Sequence, residues 1–65
     1  MVFKINDKVW IINKNAKEYL EVGIIIDNIG YMSKPYVVEF VDYIETFKEY
    51  ELTLYIPISK PEYLN

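Results

Sequence analysis

The sequence predicts one small all-β domain, a five-stranded barrel around a single core. Two observations carry this. Ten of the 65 residues are Ile and seven are Tyr, and β-branched and aromatic side chains fit strands better than helices. Apolar segments also recur five times between turn signals, with connections of about 2–8 residues, the pattern of a small barrel. Closure is the physically sensible arrangement, because it leaves few unpaired edges on a chain with little else to cover them.

Asn6-Asp7 signals the first turn, since both residue types tolerate left-handed or Asx geometry. A strand over 8–13 follows, with Val9 and Ile11 on one side and Trp10 and Ile12 on the other. The polar stretch 14–20 is a long loop. The second strand covers 21–29, with Val22, Ile24 and Ile26 on one face and Gly23 marking a bulge or a close backbone approach. Residues 28–35, with Gly30, Ser33 and Pro35, connect it to the strongest strand, 36–41. There Tyr36, Val38 and Phe40 alternate with Val37, Glu39 and Val41. Residues 42–45 turn the chain into a short strand, 46–48, centred on Phe47. Glu49 to Leu52 suits a single 3₁₀ turn. A last strand, 53–56, stops at Pro57. The barrel thus spans 1–57, and a tail, 58–65, packs on it or extends from it.

Composition narrows the function. A chain of 65 residues makes one domain, and one so short buries only about 60% of its unfolded surface. With 52% hydrophobic residues it is too apolar for a disordered segment. There is no Cys and no His, so disulfides, the usual zinc ligands, the best nucleophile and the common general base are all missing. No metal and no cofactor is expected. No apolar h-region opens the chain, and apolar runs such as 9–12 are far too short to span a membrane; the expected location is the cytoplasm. Net charge is −3 with seven Lys and no Arg, against the basic footprint of nucleic-acid binders. The bias to Ile, Lys, Asn and Tyr without Arg points to an AT-rich genome, such as a low-GC bacterium or its phage.

The order of segments resembles the SH3-like barrel superfamily. Its small members open with an aromatic residue, a turn and a Val-x-Val strand, where this chain has Phe3-Lys4-Ile5-Asn6-Asp7-Lys8-Val9-Trp10-Ile11. A Val-Gly-x-Val strand is matched by Val22-Gly23-Ile24-Ile25-Ile26, and a Tyr-x-Val-x-Phe strand by Tyr36-Val37-Val38-Glu39-Phe40. Phe47, Glu51-Leu52 and Leu54 take the places of the closing aromatic strand, the 3₁₀ turn and the final strand. The similarity covers residues 3 to 56. Residues 19–23 and 35–40 also look like the photosystem I accessory subunit and its ferredoxin–thioredoxin reductase relatives, and transcription-elongation KOW modules are similar but more basic. The resemblance implies architecture; the superfamily hosts peptide binders, nucleic-acid binders, methyl-lysine readers and enzyme subunits, so the fold does not choose among functions.

No catalytic constellation is visible. Ser33 and Ser59 sit beside loop signals, and Glu49 with Glu51 is read either as an acid–base pair or as solvated turn residues. Asp42 and Glu45 are too few for calcium. Gly23 and Gly30 make no phosphate loop. The informative feature is the second side of the strands. With Val9, Ile11, Val22, Ile24, Ile26, Val38 and Phe40 as the core, the opposite face carries Trp10, Ile12, Ile25, Val37 and Val41. A half-exposed antiparallel sheet is polar there. Either the tail, with Ile58, Tyr63 and Leu64, covers this face, or it is a contact surface for a partner protein or a second copy, with Trp10 as anchor. A further surface is a groove of Tyr19, Tyr31, Tyr43 and Tyr50, suited to an extended peptide or, with Asp42 or Glu51, to a cation. The alternative for each Tyr is a core-rim position with a wet hydroxyl.

The function expected is therefore that of a non-enzymatic protein-binding module, a small bacterial or phage accessory or inhibitor protein docking on a larger protein. A KOW-like nucleic-acid or ribonucleoprotein contact module and a structural subunit of an enzyme complex are the alternatives.

Overall fold

A computed structural model describes residues 3–56. The expected tail, 58–65, and the question of whether Ile58, Tyr63 and Leu64 cover the sheet, lie outside the described residues. The described chain is all-β. Strands β1 (Lys8–Ile11), β2 (Val22–Asn28), β3 (Tyr36–Glu39), β4 (Ile44–Phe47) and β5 (Leu52–Leu54) are joined by loops and one 3₁₀ turn, Glu49–Glu51. They form one antiparallel sheet in the order β4-β3-β2-β1-β5. Among the described residues no ladder joins β4 to β5, so the hydrogen bonding leaves these two strands as edges.

The centre of the sheet is the β1–β2 pair, in which Val9 lies opposite Gly23 and Trp10 opposite Val22. Both ends of the pair are clasped in the same way. At one end, the Asn6 N–H donates to the Ile25 carbonyl at 2.7 Å, and the Ile25 N–H donates to the Asp7 carbonyl at 2.8 Å. At the other, the Leu20 N–H donates to the Ile11 carbonyl at 2.8 Å, and the Ile11 N–H donates to the Glu21 carbonyl at 3.0 Å. Among the described residues, Asn6 and Leu20 are the two non-glycine residues with positive φ, at 80° and 63°. Two residues thus oppose one, the first of them left-handed, as in a G1-type bulge. Each bulge closes a four-residue turn: Asp7 N–H bonds to the Lys4 carbonyl, and Glu21 N–H to the Glu18 carbonyl. The residues so clasped, Ile11 and Ile25, are fully buried.

This register sets the direction of every side chain in β2 and corrects the expected core. Neighbours across a ladder share a face, so Gly23 and Ile25 join Val9 and Ile11 inside. Val22 and Ile24 point outward and are only half-buried. A register shift then follows: Ile25 pairs with Val38 but Asp27 pairs with Val37, leaving Ile26 as an extra residue, 37% exposed. Ile25, expected on the outer face, is instead a core residue. The core comprises Phe3, Val9, Ile11, Ile25, Tyr36, Val38, Phe40, Phe47 and Leu52, with Ala16 against it. Phe40 meets Phe47 edge-on at 6.1 Å, and Phe3 meets Tyr36 likewise at 5.4 Å.

Gly23 makes the close approach that a strand glycine signals. A Cβ there would collide with Val38 Cγ1 and crowd the Glu39 carbonyl and the Phe40 ring. Phe40 therefore packs over bare backbone.

Two substitutions check the direction of β2. Ile25→Ala should cost about 2–5 kcal/mol of stability, the usual cost of truncating a fully buried Ile. Ile26→Ala should cost about 1 kcal/mol or less. Denaturant titration of both variants measures the difference; equal costs would mean that β2 does not face this way.

Candidate functional site

Two buried carboxylates hold the loops in place. Glu51 ends the 3₁₀ turn. Its Oε1 accepts the Lys48 N–H at 2.7 Å, one half of a capping box, and its Oε2 accepts Asn13 Nδ2 at 2.7 Å. The Asn13 Oδ1 in turn accepts the Asn15 N–H at 2.8 Å. Glu51 is 6% exposed, so it is neither the solvated turn residue nor the open acid that the sequence allowed for. It ties the β1–β2 connection to the start of β5.

Glu18 is the second, 3% exposed. Its Oε2 accepts the Tyr43 hydroxyl at 2.7 Å. Tyr43 stacks on Phe40 at 5.2 Å, and the Lys17 ammonium lies 5.0 Å above its ring. This cluster fastens the strained Leu20 turn to the β3–β4 hairpin, whose tight turn is closed by Phe40 N–H donating to the Tyr43 carbonyl at 2.8 Å.

The four tyrosines of the expected groove belong to four different connections. Tyr43 is taken up in the Glu18 cluster. Tyr31, 92% exposed, stands in the β2–β3 connection, far along the chain from Tyr50 in the 3₁₀ turn. Tyr50, also exposed, lines a cavity of about 610 Å³ with Phe3, Glu49, Leu52, Thr53 and Leu54, and the Lys48 ammonium lies 5.9 Å over its ring. Tyr19 is half-buried in the β1–β2 connection.

The outer side of the sheet is the better-formed surface. Across the strands runs a row of partners: Lys8 beside Ile24, Ile24 beside Glu39, Glu39 beside Ile44. Val41, just past β3, is 99% exposed, and Ile44 is 56% exposed. Lys8, Val22, Gly23, Ile24, Glu39, Phe40 and Val41 line a cavity of about 410 Å³ on this face. Of the residues expected here, Trp10 and Ile12 are half-buried, Val37 is buried and Val41 is fully open. The Trp10 ring packs on Tyr55 at 5.5 Å, and the Lys8 ammonium lies 5.1 Å from the centre of the Tyr55 ring. Its Nε1–H is buried without a partner among the described residues. Val22 and Ile24 take the place that Ile25 was expected to fill. The register that reveals this depends on the two bulges, and only the Asn6 bulge leaves a mark in the sequence.

Among the described residues no group of three or more acidic side chains is close enough to hold a metal, and no helix is long and apolar enough to cross a membrane. Neither the protein-family models nor the curated proteins compared with the chain give a match.

The Tyr43 phenol is pushed up to about 12, first by its hydrogen bond to Glu18, then by burial and by the negative charges of Glu18, Glu21 and Glu45. The folded state therefore favours the protonated phenol. The stability this contributes is fully present below the ordinary tyrosine range near 10 and is lost as pH rises from there toward about 12. Tyr43→Phe should melt lower than the parent at neutral pH, and the gap should narrow as pH climbs through that window. Paired thermal melts across it test this; a gap that stays constant would show that the phenol does not titrate with folding.

Proposed function

We propose that this chain is a non-enzymatic binding module of the SH3-like barrel type whose outer sheet face docks a protein. The strand order β4-β3-β2-β1-β5, antiparallel throughout, with a 3₁₀ turn directly before the last strand, supports the architecture. The observation that carries the functional reading is the outer face itself. Val41 is open to water and lines a shallow cavity with Val22 and Ile24, one Lys and one Glu at its rim, and Ile44, also largely open, stands beyond Glu39. Contiguous apolar surface rimmed by charge marks an interaction site. Leaving it in water costs a domain of this size stability it has little of. The two buried carboxylates support the same reading from the other side, since both are spent on loop hydrogen bonds rather than placed for proton transfer.

The test is a photo-crosslinking side chain at position 41, compared with one at position 31, in cells that make the chain. Position 41 should give a discrete adduct and position 31, equally exposed but off the face, none. Adducts of equal yield from both positions would mean collision rather than docking.

A further inference from the structure

We propose that the occupant of this face is a second copy of the same chain, packed across a two-fold axis that runs parallel to β2; this rests on the reading that the face is a docking surface. The row Lys8–Ile24–Glu39 places a positive charge, an apolar side chain and a negative charge on three successive strands. Strands lie about 4.8 Å apart, so the two charges stand one strand to either side of Ile24. A two-fold axis lying between two such faces and directed along β2 exchanges left and right. It sets Lys8 of each copy over Glu39 of the other, twice, and Ile24 over Ile24. That is the self-complementary contact of a closed dimer. The same operation carries the open Val41 side chain toward Trp10 of the second copy, one row along. The other in-plane axis, at right angles to the strands, would set Lys8 on Lys8 and Glu39 on Glu39, and like charges disfavour it. The charge order therefore selects one orientation.

Lys8 and Glu39 are exposed. Lys8 lies over the Tyr55 ring and would exchange that contact for Glu39 of the second copy. The β4 edge is a poorer place for a second copy. On β4 the Thr46 N–H is already taken by the Glu45 carboxylate at 3.2 Å, which blunts strand addition.

Sedimentation equilibrium of the full chain, from micromolar to millimolar concentration, tests the proposal. The parent should dimerise. Lys8→Glu and Glu39→Lys should each weaken the dimer by at least about tenfold, and the double variant, which restores opposite charges, should recover to within about threefold of the parent. Thermal melts confirm that each variant is folded; should a charge reversal unfold the chain, Lys8→Gln and Glu39→Gln give the same direction with smaller effect. A parent that stays monomeric throughout, single reversals without effect, or a double variant no better than the singles would each overturn the proposal. The position-41 crosslink separates this from the docking reading. An adduct of twice the chain mass supports self-association. An adduct with a different protein alone overturns it and leaves the docking surface standing. No adduct defeats both.

Discussion

The direction in which β2 presents its side chains governs the rest of the molecule. It is fixed by a clasp at each end of the β1–β2 ladder, where a left-handed residue and its successor oppose a single isoleucine. Because side chains alternate with period two, a slip of one residue would exchange the faces. It would expel Ile25, bring Val22 and Ile24 inside, and put a side chain in place of Gly23 where Val38 and Phe40 pack over bare backbone. The clasps forbid this, since each isoleucine uses both of its backbone groups in its bulge. With β2 set, the close approach at Gly23 admits the Phe40 ring, Phe40 meets Phe47, and the outer row of Lys8, Ile24 and Glu39 follows without further choice.

Around this ladder two carboxylates tie the loops together. A buried charged group is costly unless it is hydrogen-bonded. Glu51 meets that condition with a backbone N–H and the Asn13 amide, and Glu18 accepts the Tyr43 hydroxyl. Each bond joins segments far apart in sequence. Glu51 reaches 38 positions back to Asn13, and Tyr43 reaches 25 back to Glu18. In a chain with no disulfide, such ties fix loop positions that the small core alone leaves open.

How much of this was legible depended on whether a residue type betrays its backbone. Asn6-Asp7 announced a turn because asparagine is a usual occupant of the left-handed region, and Asn6 has φ of 80°. Gly23 announced a close approach and makes one. The 3₁₀ turn was visible as a stretch too short for a helix. Leu20 announced nothing, since leucine is no turn former, and with it the second clasp was hidden. The parity of β2 was lost for that reason. Val22, Ile24 and Ile26 form as good an apolar alternation as Gly23 and Ile25, better if side chains alone are counted. Of the residues expected on the outer face, Val41 is open, Trp10 and Ile12 are half-buried, Val37 is buried, and Ile25 yields its place to Val22 and Ile24. The roles of Glu18 and Glu51 had no local signature, because their partners come from other loops.

The two clasps are alike in hydrogen bonding and unlike in cost. Asn6 occupies a conformation its residue type visits readily, whereas Leu20 is held at φ of 63° against a preference of roughly 1–2 kcal/mol. Its neighbours supply the constraint: the Ile11 carbonyl, the Glu18–Glu21 turn, and through Glu18 the hydroxyl of Tyr43. A backbone kept in place by its surroundings springs back when they release it. Of the two turns, the Leu20 turn is therefore the one whose opening relieves backbone strain, and loss of the Tyr43–Glu18 bond would untie it from the β3–β4 hairpin.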